Sequence, residues 1–394
     1  MILKNKRILL GVSGSIACYK ALDLTSKLVQ NGAIVDVIMT ESASKFITPL
    51  SFQSISRRPV STNLWASGEG DIGHIAIANS TDLAIIAPAT ANIIAKIAHG
   101  LADDLLTTTL LATKAKVIVA PAMDGNMYYH QSVQENISKL VRMGIIVVGP
   151  NEGRLASGLV SKGRLVEPYE ILGYIRAALG SEGDLKGKKI VVTAGGTQEP
   201  IDPVRIISNH SSGKMGYALA EAARDRGAEV TLVTATTALS IPVSMEIISV
   251  KTARDMQIAV EKSLDNADAL IMAAAIADFR PNIPYSQKLK TDKQSLKLSL
   301  TKNPDILGTV KGNFIKVGFA AETQSLEANA RKKLIEKDLD FIVANNVIEI
   351  GSEFGSDTNR VVILDNKGSI NALPIMSKED IAERILDRVV EIIQ

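Results

Sequence analysis

One local pattern occurs twice in this chain: a short unbroken apolar run, a loop of Gly, Ser and Thr, and then the opening of an amphipathic helix. Residues 8–12 lead into Gly11-Val-Ser-Gly-Ser-Ile-Ala17, and residues 189–193 lead into Ala194-Gly195-Gly196-Thr197. Runs that are apolar at every position fit strands covered on both faces, hence parallel strands in a βαβ arrangement. The first series continues at 34–39, 83–87, 117–120 and 145–148. The second continues at 229–233, 270–274, 314–319 and 341–345. Residues 361–364 predict an added strand, one arm of a hairpin turned at Asn366-Lys367-Gly368, and 377–393 a closing amphipathic helix. The restart predicts two domains, 1–180 and 189–394, joined by a short polar linker at 181–188. A chain of 394 residues is long enough for each to have its own core.

Composition narrows the function classes. A net charge of +2 gives no support for a nucleic-acid or membrane surface. The single cysteine, Cys18, excludes an internal disulfide framework and a thiolate metal cluster. The four histidines are too scattered for a zinc site. The apolar run at the N-terminus is short and reaches Gly11 quickly, which is not a signal-peptide pattern, and no apolar run approaches a membrane span. The expectation is a cytoplasmic protein.

In the first half, three hydroxyl-rich strand ends converge. Gly14, Ser15 and Ile16 stand where a helix begins, and free N–H groups there suit a phosphate; an ordinary tight turn is the alternative. Thr40 and Ser42 follow the second strand; Pro88, Thr90 and Asn92 follow the strand at 83–87. Thr90 and Asn92 can bond a ring edge or a polyol chain, or simply cap the helix beginning near Ile93. Asp103 and Asp104 are adjacent, point apart on a helix and make no metal pair. His74, after Gly73, can shuttle a proton, although a lone histidine is more often structural. Asp124 sits at a strand end in Pro121-Ala-Met-Asp124. Ser157 lies in a glycine-bearing basic loop, 153–164, that either closes over an acidic substrate or is a solvated loop.

These residues resemble the flavin-dependent cysteine decarboxylases, and most closely the phosphopantothenoylcysteine decarboxylase domain. The resemblance implies FMN held at 11–17 and 88–92, in a crevice between neighbouring subunits of a trimer. It implies oxidation of the substrate's cysteinyl thiol to a thioaldehyde that allows loss of CO₂, and reduction of the resulting enethiol. His74 matches the family's essential histidine in Gly-x-x-Gly-His-Ile, and Asp124 the asparagine that contacts the departing carboxylate. Two departures stand out. Asp124 replaces that asparagine, and Ser157 replaces a cysteine of bacterial members proposed to protonate the enethiol. Together they point to an archaeal-type variant. An Asp beside the substrate carboxylate repels it unless protonated or hydrogen-bonded.

In the second half, Ser211-Ser-Gly-Lys214 fails as a phosphate loop of the Walker type, because Ser208 and Met215 stand where Gly and Ser or Thr are needed. Asn209 to Ser212 still precede a helix and can receive an anion, and Arg205 upstream can pair with phosphate. Asp278 is expected at the end of a strand extension. Lys288 and Lys290 follow in a polar segment, and Phe319 falls near a strand end. Lysines over a triphosphate offset charge as pyrophosphate leaves, and an aspartate can help hold magnesium.

This half resembles phosphopantothenate–cysteine ligase over Thr193–Pro200, Asp202–Gly216, Ala275-x-Ala-Asp278, Lys288-Leu-Lys290, Asn303-Pro-Asp305, Gly318–Glu322 and Phe354-Gly-Ser-Asp357. The resemblance implies activation of 4′-phosphopantothenate by CTP to an acyl-cytidylate, then displacement of CMP by the amine of L-cysteine. Asn209 supports the acyl-cytidylate, Arg205 orients site contacts, and Lys288 serves the phosphates or the second step. Gly195, Gly196, Asp278, Lys290 and Phe319 are nucleotide-side residues, with Asp278 also the Mg²⁺ ligand. The fold implied is two Rossmann-like α/β domains, the first flavodoxin-like. The implied assembly combines trimeric first domains and dimeric second domains, up to a dodecamer. Other readings stay open: another flavin enzyme, a non-enzymatic regulatory subunit, or a ligase whose first domain keeps flavin without turnover.

Overall fold

The computed structural model describes residues 2–65, 73–290, 296–322, 324–346 and 355–393. Gly70 of the expected histidine motif and Phe354 of the last ligase motif lie outside the described residues. The chain forms two compact units, Met1–Leu179 and Gly180–Gln394.

The first unit is built on β1 (Arg7–Val12), β2 (Ile34–Met39), β3 (Val60–Ser61), β4 (Leu83–Ala89), β5 (Lys116–Pro121) and β6 (Ile146–Val147). Their order is β3-β2-β1-β4-β5-β6, and every pair is parallel. All seven residues of β4 are buried, as its apolar run requires of a strand packed on both faces. Alternation along β1 divides the core. Ile8 and Leu10 join Leu24 and Phe52 on one side, and Leu9 joins Ile86, Ile93 and Leu106 on the other. The order reverses between β1 and β4, and crevices form at such points beyond the carboxyl ends of the strands. An antiparallel hairpin, β7 (Asn151–Arg154) and β8 (Val160–Arg164), is added to this frame. Its base is tied down by the buried Lys20, whose ammonium donates to the Leu165 carbonyl and to Glu167, both at 2.9 Å.

The second unit repeats the plan. Its strands are β9 (Lys189–Ala194), β10 (Gln198–Pro200), β11 (Ile206–Ser208), β12 (Glu229–Thr234), β13 (Glu246–Ser249), β14 (Ala269–Met272), β15 (Phe279–Pro281), β16 (Leu300–Lys302), β17 (Ile315–Glu322), β18 (Phe341–Asn346), β19 (Thr358–Asn359), β20 (Val361–Asp365), β21 (Ile370–Ala372) and β22 (Met376–Ser377). The main sheet runs β13-β12-β9-β14-β17-β18-β20-β21. Its first six strands are parallel and ordered as in the first unit; the last two are antiparallel and form the expected hairpin. The carboxylate of Asp365 shapes that turn by accepting from the N–H groups of Lys367 (3.0 Å) and Ser369 (2.8 Å).

The helix Lys214–Asp225 lies close on β9 because Gly216 has no side chain. A Cβ there would sit 2.6 Å from Ala194 Cβ and 2.7 Å from the Thr193 carbonyl. Residues 181–188, expected as a linker, are packed: Leu185 is fully buried, and its N–H donates to the Arg226 carbonyl at 3.0 Å. The strand extension expected through Asp278 does not form. β14 stops at Met272, and Asp278 is an exposed residue just ahead of β15.

Candidate functional site

The first unit's crevice opens where β1 and β4 diverge. Ser13 ties the two strand ends together: its hydroxyl donates to the Pro88 carbonyl (2.8 Å) and accepts from the Thr90 N–H (3.0 Å). The next residue, Gly14, leaves a cradle that a Cβ would fill, since one built there would lie 2.5 Å from Ser42 Cβ. The helix that follows, Cys18–Gln30, has no side-chain cap at its start, which leaves backbone N–H groups for an anion. Ser15 is half-buried there, and Ile16 is 61% exposed. Thr40 and Thr90 cap the helices Glu41–Ser44 and Ala91–His99 by accepting from Ala43 N–H (3.2 Å) and Ile93 N–H (3.4 Å). Thr90 therefore does cap its helix, and Asn92 stands exposed beside it. This cradle of small residues, hydroxyls and backbone N–H groups fits the phosphate of a flavin mononucleotide. Cys18 is no nucleophile here: its thiol is buried, donates to the Ser13 carbonyl (3.3 Å), and burial pushes its pKa up.

Beyond β5, Asp124 caps the short helix Gly125–Tyr128. Ser157, at the tip of the β7–β8 hairpin, donates its hydroxyl proton to Asp124 Oδ2 at 2.6 Å, and Asn126 N–H donates to Oδ1 at 3.0 Å. The Ser157 hydroxyl and the Asn126 N–H hold the Asp124 carboxyl below its ordinary value. The two positions that depart from the family pattern thus touch each other. Met123 N–H donates to the Gly163 carbonyl (3.0 Å), which fixes β8 against this segment. His74 is half-buried in the first turn of the helix Gly73–Ser80. Within one chain it forms no hydrogen bond with Asp124 or Ser157.

The second unit has a cavity of about 820 Å³ beyond the carboxyl ends of β14 and β17. Asn209, Asp278 and Phe319 line it, and so do Lys214, Lys333 and Lys337. Its floor, the lining backbone of Ala274–Ala277, is held from behind by the Gly195–Thr197 loop, which does not itself line the cavity. Ala275 N–H donates to the Gly195 carbonyl (2.8 Å), Gly196 bridges to Ala275, and the buried Thr197 hydroxyl accepts from Ala277 N–H (3.0 Å). The Asn209 side-chain amide donates to the Ile276 carbonyl at 3.0 Å, which hangs its loop over this floor. Among the described residues no group of three or more His, Cys, Asp or Glu could hold a metal ion. Asp278 is thus a single exposed carboxylate at that cavity and not part of a protein-built metal cage.

Arg205 and Lys288 lie outside that cavity lining. Arg205 donates to the buried Asp202 (2.6 Å) and to the Leu289 carbonyl (3.1 Å), while Leu289 N–H donates to Asp202 (3.1 Å). The residue between Lys288 and Lys290 is thus clamped, and both lysines point their exposure to solvent. Burial pushes the Asp202 carboxyl up. The N–H groups of Leu289, Val204 and Arg205 and the Arg205 guanidinium outweigh it and hold the group well below the usual range.

Two family models divide the chain. One described as Flavoprotein matches residues 2–180; one described as DNA/pantothenate metabolism flavoprotein C-terminal domain matches 185–393. The coenzyme A biosynthesis bifunctional protein CoaBC of Bacillus subtilis (strain 168) is 49% identical over 395 residues, which is 98% of this chain and 97% of the relative. The chain belongs to the CoaBC family. The CoaBC protein of Escherichia coli (strain K12) is 43% identical over 398 residues, 99% of this chain and 98% of its own. A crystal structure of the C-terminal domain of a CoaBC protein is 39% identical and covers 53% of this chain and 97% of its own, with a TM-score of 0.46. These named CoaBC relatives are bacterial, which corrects the archaeal-type expectation drawn from Asp124 and Ser157. The protein is a bifunctional enzyme, a decarboxylase unit and a ligase unit in one polypeptide.

Some residues of the CoaBC ligase cavity escaped the sequence reading. Lys333 and Lys337 belong to the helix Leu326–Glu336 and its C-terminal cap, where lysines look like ordinary solvated positions. Lys302 and Lys378 carry no local motif either, although both line the cavity. Among the described residues no helix is long and apolar enough to cross a membrane.

Proposed function

We propose that the second unit joins 4′-phosphopantothenate to L-cysteine at the expense of CTP, through an acyl-cytidylate, and that the first unit decarboxylates the product to 4′-phosphopantetheine. The observation that carries the ligase half is the lysine-lined cavity over a backbone floor. Its size suits a ligand of nucleotide dimensions, and its ammonium groups offset the charge that develops as pyrophosphate departs. Asn209 supports the acyl-cytidylate, and Gly195, Gly196 and Phe319 lie on the nucleotide side. Asp278 would hold Mg²⁺, which would supply positive charge against the phosphates. Lys288 and Lys290, solvent-exposed on either side of the clamped Leu289 and outside the cavity lining, reach the phosphates or serve the second step once ligand is bound.

In the first unit, Gly14, Ser15 and Ile16, Thr40 and Ser42, and Pro88, Thr90 and Asn92 hold FMN. When bound, FMN would supply the two-electron oxidation of the cysteinyl thiol that makes loss of CO₂ feasible, and would return the two electrons to the resulting enethiol to give the thiol product. The hydrogen bonds from Ser157 and Asn126 soften but do not remove the charge of Asp124, which still disfavours a second carboxylate beside it, and departure of CO₂ relieves that repulsion. The Ser157 proton is held on its Oγ at the hairpin tip, facing Asp124. His74 handles the remaining proton transfer, as an imidazole within reach of substrate can. The enzyme works in the cytoplasm, as trimers of the first unit and dimers of the second, up to a dodecamer.

Mass spectrometry of the full chain incubated with 4′-phosphopantothenate, L-cysteine, CTP and magnesium tests this reading. Phosphopantetheine is expected. Accumulation of phosphopantothenoylcysteine instead would favour the second reading, a ligase whose first unit binds flavin without turnover. The specific observation behind that reading is Ser157 with its proton committed to a carboxylate, because a serine hydroxyl is a far weaker acid than a thiol.

A further inference from the structure

Three consecutive residues at the cavity edge are gripped by two lysines from different helices. Lys214 opens the helix Lys214–Asp225, and its ammonium donates to the Gly355 carbonyl (2.7 Å) and to Asp357 Oδ1 (2.6 Å). Lys378 opens the helix Lys378–Ile393 and donates to the Ser356 carbonyl between them. Lys214, Lys378 and Gly355 all line the cavity. The two partners of the Lys214–Asp357 pair are unequally placed: the lysine side chain is 33% exposed, and the aspartate side chain 89%. Asp357 accepts from Lys214 through its side chain and from Lys378 N–H through its backbone (3.1 Å).

An ion pair with one partner this exposed contributes little to stability, because water and salt screen it. It is therefore easily exchanged. Lys214 lies inside a cavity that already holds Lys333 and Lys337, and these two have partners of their own. Lys333 donates to Glu322 (2.7 Å) and Lys337 to Asp305 (2.9 Å). Those pairs leave Lys214 as the cavity-lining lysine whose carboxylate partner is most open to solvent. Lys378 is buried, and burial and the charge of Lys214 lower its pKa, with Asp357 and Glu379 opposing. A second cation beside Lys214 strengthens the field that an incoming anion meets.

Resting on the ligase reading, we infer that Lys214 is an anion-binding residue of that cavity and that Asp357 occupies its ammonium until a phosphate group of a ligand replaces the carboxylate. Asp357 then acts as a built-in competitor: it keeps Lys214 oriented in the empty cavity and weakens the binding of small anions. The shared chemistry is a phosphate, whether from the nucleoside triphosphate or from the phosphorylated pantothenate.

Opposite-sign variants test this. Inorganic pyrophosphate and 4′-phosphopantothenate are titrated separately, by calorimetry, into the full chain and its variants. For the ligand that Lys214 contacts, Lys214→Met is expected to weaken binding about tenfold, the range for one charge-assisted hydrogen bond. Asp357→Asn is expected to tighten it about twofold to threefold, with the same ordering in KM and little change in kcat. Lys214→Arg restores most of the affinity. The arm that responds identifies the phosphate source. A purely structural clamp predicts instead that Lys214→Met and Asp357→Asn lower thermal stability alike and leave both affinities unchanged or shift them the same way; that outcome overturns the inference. The wild-type titration and a pyrophosphate-release assay separate the two levels. Wild-type protein that binds neither ligand and releases no pyrophosphate overturns the ligase reading, and this inference with it.

Discussion

The two units share a parallel-strand order and differ in what they place at the point where that order reverses. In the first, the crevice is walled by Ser13, Gly14 and two capping threonines, and beyond β5 stands an ionised carboxylate, Asp124. In the second, a backbone floor at Ala274–Ala277 shares its cavity with several lysines. The frame is generic, and the chemistry lives in side chains at loop ends. A cradle of small groups suits a ligand with one phosphate and a large uncharged ring; a ring of ammonium groups suits a polyphosphate whose charge grows as it is cleaved.

That contrast can be broken by variants that strike one unit only. The largest effect is expected from His74→Asn, which should reduce decarboxylation by on the order of a hundredfold or more while pyrophosphate release stays within about twofold. Loss of both activities would contradict independent sites. Gly14→Val follows. Its side chain would meet Ser42, so the purified chain should lose most of its bound-flavin absorbance and still ligate. Lys337→Gln should raise the KM for CTP about tenfold and leave flavin content untouched; an unchanged KM would remove Lys337 from the phosphate site.

A smaller effect is expected at the clamp. Asp202 has a folded-state pKa below its unfolded one, so its contribution to stability is complete above the ordinary carboxylate range and is lost as pH falls below it. The thermal midpoint of the wild type should therefore fall more steeply between about pH 4 and pH 2, below the ordinary carboxylate pKa of about 4, than that of Asp202→Asn. Equal slopes would mean that the carboxylate is not clamped in solution. The smallest change is Asp124→Asn. Removing the charge should lower the decarboxylase KM by about threefold, the size of an exposed ionic interaction. A rise in KM would show that Asp124 attracts the substrate rather than repelling it.

Much of this contrast was legible in the amino-acid order. The unbroken apolar runs of β1, β4, β9 and β14 specify buried parallel strands, and Gly14 and the 209–216 loop mark both ligand sides. What was not legible depends on distant residues meeting. Asp124 and Ser157 are 33 positions apart, and only the hairpin pinned by Lys20 brings them together. Lys214 and Asp357 are 143 apart. The Asp202 clamp closes on Leu289, 87 residues on, so Arg205 looked like a free phosphate ligand when its guanidinium already has a carboxylate. The segment 181–188 looked open because its one anchoring apolar residue, Leu185, is too isolated to show a period. The extension through Asp278 failed because Ala273–Ala277 leave the sheet to bond the 195–209 loops.

The most direct test of two chemistries in one chain is a stoichiometry. The purified protein is given 4′-phosphopantothenate, CTP, magnesium and L-cysteine labelled at its carboxyl carbon, and pyrophosphate and labelled CO₂ are counted together. Equal amounts of the two are expected, with no CO₂ when CTP is omitted. Labelled CO₂ without CTP, or neither product with every substrate present, would contradict the account.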